Sequence, residues 1–169
     1  METEITIRLW NDGDAEAVRE ILMLSWKYAY SSFIPQSDLD YYLDKTYSLD
    51  LLKQASKNHA FTCFVSELNN KVCGWLKIYE SKEENRIYLS SLYVLPEYQK
   101  LKIGKRFFEL ASAIAAEKSY KEIYIGVMVQ NEQAVNWYKR LGFNFFEQQP
   151  FTMGNSSVTH LIGRKILDK

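Results

Sequence analysis

Two cysteines, two histidines and no excess of either charge narrow the chemistry open to this chain. Cys63 and Cys73 are too few and too widely spaced for a zinc site. Both fall in apolar, strand-like stretches, so buried thiols are expected, and no disulfide is implied. His59 and His160 stand alone and read as structural or surface residues; no metal site is expected. Lys plus Arg and Asp plus Glu each number 21, so no global basic field exists to hold nucleic acid. No apolar run is long enough to span a bilayer. The opening Met-Glu-Thr-Glu has neither the basic region nor the apolar core of a signal peptide. The expectation is a cytoplasmic protein without a membrane partner.

What is present is a chain able to build a core. Its 169 residues suit one domain, and no repeat, low-complexity tract or linker divides them. Hydrophobic residues at 47% argue against disorder. Aromatics reach 15%, with tyrosine the largest share. Such rings either fill a core or line a pocket with hydroxyl tips.

The stretch from Arg86 to Arg106 organises the rest. Ile87, Leu89, Leu92, Tyr93 and Val94 are β-formers, and Pro96 stops the run. The alternation slips at Ser90-Ser91, which predicts a bulge. A helix follows, with Ile103, Phe107, Leu110, Ala111 and Ile114 on one apolar face. Lys100, Lys102, Lys105 and Arg106 crowd its start, where cations oppose the helix dipole by about 0.3–1 kcal/mol each. Either the long lysines bend into solvent, or a phosphate sits on the free N–H groups of the first turn. Gly104 favours the second reading, because a residue without Cβ permits close approach to the backbone.

Around this stretch the elements alternate. Ile5-x-Ile7-x-Leu9 reads as a strand, and Asn11 to Asp14 caps a helix running to about Tyr30. Pro35 breaks the chain, Ser37 is read as the cap of a second helix, and Ser48 starts another helical turn through Leu52. Strands at 60–65 and 72–79 flank a turn at Asn69-Asn70. The strand at 87–94, its helix and the strand at 123–127 form a crossover, which normally makes parallel strands. Asn131 caps a further helix ended by Gly142, then come strands at 143–147 and 158–167 around a turn at Gly154-Asn155.

Two of these segments carry a resemblance. Leu92-Tyr93-Val94-x-Pro96-x-Tyr98-Gln99-x-x-x-Ile103-Gly104 resembles the pyrophosphate-binding segment of the GNAT superfamily of acetyl-CoA-dependent N-acetyltransferases. Lys102 stands where that pattern's first glycine belongs. Asn131-x-x-Ala134-x-x-Trp137-Tyr138-x-x-x-Gly142-Phe143 resembles the family's other signature. Capping and an inward face would account for much of the second motif, but not for both motifs in this order at this separation. The likeness extends over nearly the whole chain, including Trp26-x-x-Ala29-Tyr30-x-x-x-Ile34-Pro35, which in the family lies over the acceptor side.

The resemblance implies a single α/β GNAT-like domain over 1–169. Its central mixed, strongly twisted sheet has about seven strands, with helices on both faces. It implies acetyl transfer from acetyl-CoA, the co-substrate, to an amine. Cofactor contacts would come from Leu92, Tyr93, Val94, Gln99, Lys100, Lys102, Ile103, Gly104, Lys105 and Asn131. Tyr138 would protonate the departing thiolate and also touch the cofactor. A strand break frees backbone N–H groups for an oxyanion, placed here at Leu92 or its neighbours. The acceptor side would use Tyr28 and Tyr30, near Asp38, Asp40 and Asp44. Those carboxylates read chiefly as a solvated helix face, with one at most turned to substrate.

Many relatives carry a glutamate base on the central strand, and Ser90 occupies the corresponding position here. A hydroxyl cannot take a proton at neutral pH. A water held by Ser90, Tyr88 or an acidic residue of the 38–44 helix is one substitute, and Glu80 is another. The C-terminal segment Phe151-x-Met153-Gly154, then Leu161-Ile162-x-x-Lys165-x-Leu167, is similar to the PaiA-type spermidine/spermine acetyltransferases. That likeness implies a small primary amine such as a polyamine as acceptor. Ribosomal-protein N-terminal acetyltransferases are the alternative enzyme class, but their Arg-x-x-Tyr-Tyr before the last strand is missing. A non-catalytic acyl-CoA-binding module is the alternative outside enzymes. The C-terminal strands are a candidate homodimer surface.

Overall fold

The computed structural model describes residues 4–168. Met1 to Thr3 and Lys169 lie outside the described residues, and with them both ends of the expected 1–169 domain and most of the N-terminal stretch read for a leader. Strand β1 spans Thr6–Leu9 and leads through a 3₁₀ turn to helix α1, Ala15–Tyr30. Helices α2 (Gln36–Thr46) and α3 (Leu49–Ala55) follow. Next come β2 (Phe61–Leu68), β3 (Lys71–Ser81) and β4 (Arg86–Val94). Helix α4 (Ile103–Glu117), β5 (Glu122–Met128), α5 (Glu132–Arg140), β6 (Asn144–Met153) and β7 (Ser156–Ile166) complete the chain. The seven strands form one sheet in the order β1-β2-β3-β4-β5-β7-β6. The β4–β5 pair is parallel and the others are antiparallel, as the crossover requires.

Local chemistry explains most boundaries. Asn11 caps the first turn in a capping box with Asp14. Asn69 and Asn70 take φ of 52° and 63°, the two left-handed positions of a tight hairpin turn. Ser48 caps α3 by accepting the Leu51 N–H, and the helix continues past Leu52 to Ala55. Helix α2 corrects the expected cap: Pro35 occupies that position and Ser37 lies inside the first turn. Pro35 sits there extended, without a capping side chain, and its carbonyl accepts the Asp38 and Leu39 N–H groups. Strands β6 and β7 are longer than the apolar pattern indicates. The polar run Glu147-Gln148-Gln149-Pro150 continues β6 because this is an edge strand, with one side solvated and no second neighbour for Pro150 to disappoint.

The core falls into two clusters. One packs α4 and α5 on β3, β4 and β5 through Leu76, Ile78, Ile87, Leu89, Ile103, Phe107, Ala111 and Ile123. The other packs α1 to α3 through Val18, Leu22, Trp26, Leu39 and Leu52 against Cys63, Val65 and Trp75. The hairpin of β6 and β7 is tied to α2 at Asp38. Its carboxylate accepts the Asn155 N–H at 3.0 Å and the Ser156 hydroxyl at 2.5 Å. Those two hydrogen bonds, the Ser156 hydroxyl first, hold the Asp38 carboxyl below its usual range. Cys63 and Cys73 are buried free thiols, and burial pushes Cys63 up to about 12. Among the described residues, no helix is long and apolar enough to cross a membrane, and no cluster of metal-ligating side chains is present.

Two positions test this packing. A Cβ on Gly74 would lie 2.5 Å from Ser66 Oγ, 3.0 Å from the Phe107 ring and 3.2 Å from the Tyr93 carbonyl. Gly74→Ala therefore overpacks the seam between β3 and α4 and lowers unfolding free energy by about 1–3 kcal/mol in urea melts. Lys102 sits at φ 60°, a left-handed conformation that disfavours a side chain. Lys102→Gly raises stability by about 0.5–1 kcal/mol, whereas Lys102→Ala, which keeps the Cβ, leaves it within about 0.5 kcal/mol of the parent.

Candidate active site

Strand β4 is where the sheet comes apart. On its β3 side, Lys77 pairs with Ser91 and Ile78 with Leu89, so Ser90 is the extra residue of a bulge. On its β5 side the described bridge is Tyr88 with Tyr124, and the strands part beyond it. Among the described residues, the backbone from Ser90 to Val94 therefore has no strand partner on that side. Such an edge offers N–H and C=O groups to an extended amide chain or to a developing oxyanion. Leu92, Tyr93 and Val94 flank this edge; Leu92 and Tyr93 are half-buried and Val94 is buried.

The edge runs into the start of α4. Gln99 reaches back and donates from Nε2 to the Val94 carbonyl at 3.3 Å, closing the connecting 3₁₀ turn onto the strand. Lys102 turns left-handed and precedes α4 without any capping side-chain hydrogen bond. The Arg106 N–H is bonded to the Lys102 carbonyl, and the N–H groups of Ile103, Gly104 and Lys105 precede that bond. These donors have no acceptor within the helix. Lys100, Lys102 and Lys105 are exposed around them. An uncapped first turn ringed by ammonium groups fits a pyrophosphate. Ile103 itself is fully buried and can offer only its backbone. At Gly104 an added Cβ would lie 3.4 Å from the Trp137 ring, so this glycine also lets α4 lie close to α5. Arg106 turns aside and donates to the Ile5 carbonyl.

A cavity of about 560 Å³ opens at the split. Ser90, Ser91, Tyr88 and Tyr93 form its β4 wall, with Trp26 and Tyr30 from α1 and Tyr42 from α2 opposite. Tyr47, Glu84, Gly126, Met128, Phe151 and His160 complete much of the rest. Burial raises the Tyr30 phenol, partly offset by hydrogen bonding with the Tyr93 and Asn131 side chains. Burial likewise pushes Tyr93 well up, helped by the neighbouring Tyr30 and Tyr47. Tyr138 is buried against Trp137 and Phe143. Its phenol is raised by burial and then by nearby Tyr30, so it stays protonated at neutral pH. Asn131 accepts the Ala134 N–H at 3.4 Å and caps α5, while its side chain also meets Tyr30.

Other residues singled out in the sequence are placed elsewhere. Tyr28 is 62% exposed and lies outside the cavity lining, whereas Tyr30 is in it. The acidic side chains of α2 are already engaged: Asp38 by the hairpin, Asp40 by Gln36 and Asp44 by Arg19. Glu80 pairs with Lys118 and accepts from Tyr120, away from the cavity. The cavity's carboxylate is instead Glu84, which accepts the Tyr88 hydroxyl at 2.7 Å. His59 is exposed, as read. His160, read as structural or surface, lines the cavity and stacks on Phe151 with ring centres 4.2 Å apart. The available signal was periodicity: Val158 and Ile162 are buried on the same face of β7, and His160 lies between them.

The comparisons agree with this geometry. The Thermoplasma acidophilum spermidine N(1)-acetyltransferase is 28% identical over 145 residues, covering 82% of this chain and 88% of that protein. An uncharacterized N-acetyltransferase from the pepI 3′ region of Lactobacillus delbrueckii subsp. lactis is 26% identical over 136 residues, covering 77% and 79%. In fold, the chain resembles the crystal structure of PaiA N-acetyltransferase from Thermoplasma acidophilum in complex with coenzyme A. The TM-score is 0.83 at 23% identity, over 96% of this chain and 99% of that one. The sequence model described as the acetyltransferase (GNAT) family matches residues 15–143, from the start of α1 to the residue after α5 and its glycine turn. On that match the chain belongs to the GNAT family and is an acetyl-CoA-dependent N-acetyltransferase.

Proposed function

We propose that the enzyme acetylates a primary amine of a small molecule, with polyamines the leading acceptor class, by direct attack in a ternary complex. The observation that carries this reading is the junction of the free β4 edge with the aromatic cavity. A cationic amine gains about 0.5–2 kcal/mol from each well-placed ring face, and Trp26, Tyr42 and Tyr47 are aromatic residues of the cavity lining. Glu84 gives a further cationic centre an opposite charge. The likeness to a spermidine acetyltransferase supports the same class. In this reading residues 1–169 act as one catalytic domain.

Acetyl-CoA supplies an acyl group activated as a thioester. Its pyrophosphate would rest on the N–H groups of Ile103 to Lys105, with Lys100, Lys102 and Lys105 neutralising charge and Gln99 fixing the loop. Its pantetheine amides would pair with the free edge of Leu92 to Val94. The Leu92 N–H, or a neighbour freed by the bulge, would stabilise the oxyanion. Ser90 would orient the amine or a water at the mouth of the bulge. Tyr138 would donate its phenolic proton to the departing sulfur, and burial keeps that proton in place at neutral pH until transfer. Tyr30 would close the acceptor side. Tyr28, on the solvent side of α1, has no part in this reading.

The test is release of CoA from acetyl-CoA in the presence of spermidine, spermine, putrescine and simple monoamines. Release well above the amine-free rate is expected for at least one polyamine, and background rates across the panel would contradict the proposal. Tyr138→Phe is expected to lower kcat by about 10²-fold or more with little change in the Kd for acetyl-CoA. Unchanged turnover would remove Tyr138 as the acid.

A further inference from the structure

We propose that His160 is the proton acceptor for the incoming amine, a role that rests on the acetyl-transfer reading above. The imidazole projects from β7 into the cavity whose β4 wall carries Ser90. It lies flat on Phe151, with 9° between the ring planes, so the stack fixes its plane. No hydrogen bond to either ring nitrogen is present among the described residues. Gly126 faces the ring across the sheet, and an added Cβ there would lie 3.6 Å from Nδ1. The missing side chain keeps that edge of the imidazole accessible from the cavity.

The other groups facing this space are poorer acceptors. From α1, α2, β3 and β4 come the phenols of Tyr30, Tyr42, Tyr79, Tyr88 and Tyr93, with Tyr47 from the connection after α2. Burial raises Tyr30, Tyr42, Tyr88 and Tyr93, which makes them donors at neutral pH. Glu84, the charged group of the lining, is exposed and engaged by the Tyr88 hydroxyl. Neighbouring β5 and β6 contribute Gly126, Met128, Gln149, Phe151 and Met153, none of which titrates. Burial lowers the imidazole below its ordinary value, so His160 is neutral at pH 7 and able to accept a proton.

The step balances without another reactant. The bound ammonium gives one proton to the imidazole, which passes it to solvent. The freed nitrogen lone pair forms the C–N bond at the thioester carbonyl, and the C–S bond then breaks. Sulfur takes its proton from Tyr138. The second proton of the attacking nitrogen returns through water to the phenolate. One ammonium and one thioester become one amide, one thiol and one released proton.

The experiment compares wild type with His160→Gln, using an amine that wild type turns over and reading kcat/KM from pH 5 to 10. Wild type is expected to rise through the His160 pKa, below about 6.5, and then hold level up to the amine pKa near 10. His160→Gln is expected to fall about 10²-fold or more at pH 7. Its rate should then climb about tenfold per pH unit, following the fraction of free amine, with acetyl-CoA affinity retained. Parallel pH profiles for the two proteins would overturn the assignment. An NMR titration of the His160 ring in wild type decides the matter should the variant fold poorly: a ring still cationic at pH 7 refutes it, a neutral ring that shifts on amine binding supports it. Wild type inert toward every amine would sink the acetyl-transfer reading and this assignment together. An active wild type with an unaffected variant sinks only the role of His160.

Discussion

Everything at this site depends on β4 keeping one partner while losing the other. Its β3 side is paired throughout apart from the bulge at Ser90, and Ile87 and Leu89 anchor it in the core. Its β5 side is let go after Tyr88. Unpaired strand edges are normally a liability, because their N–H and C=O groups invite other chains. Here the exposed groups face an internal split, where the proposed reading places a single extended amide-bearing ligand. The bulge adds local twist and turns the backbone out of register at the point where an acyl carbonyl needs donors. The edge then hands over to the uncapped first turn of α4, so in the proposed reading one continuous run of backbone offers donors to a long ligand from thioester to phosphate.

The charge distribution follows the same division. The net charge of zero conceals a cationic collar at Lys100, Lys102 and Lys105 and an aromatic cavity whose lining carries one carboxylate, Glu84. Ammonium groups around the helix start suit a pyrophosphate and would repel a cationic amine. On the other side, aromatic faces and Glu84 favour that amine. The strained backbone of Lys102 lies at the same point: it precedes the uncapped first turn of α4 in a left-handed conformation, at a cost that glycine would largely avoid. The Asp38 tie between α2 and the β6–β7 hairpin holds Phe151 and His160 opposite α1 and α2, giving the acceptor cavity a defined wall.

Much of this was readable from local grammar. The crossover, the Asn69-Asn70 turn, the Asn131 cap and the slip at Ser90-Ser91 each have a short-range cause, and the structure contains all four. Features set by distant partners were not readable. Tyr28 and Tyr30 are two residues apart on one helix, about 200° around its axis, so they cannot both face the cavity. Choosing between them needed the packing of α1 on the sheet. The acidic run on α2 reads as a solvated face with at most one carboxylate turned to substrate, but the partners that hold the three, Arg19, Gln36 and the hairpin turn, include two that are distant in sequence. His160 needed the opposite lesson. A lone histidine says little, but its neighbours on that face of β7, Val158 and Ile162, are buried and apolar, and His160 lines the same cavity as Ser90.

The central claim is that the free edge of β4 and the first turn of α4 together bind acetyl-CoA. The most direct measurement is an NMR titration that follows backbone amides as acetyl-CoA is added. The largest shifts are predicted at Leu92 to Val94 and at Ile103 to Lys105, changing together at one saturating stoichiometry. Saturable binding that leaves those amides unmoved, with shifts concentrated elsewhere, would contradict the account.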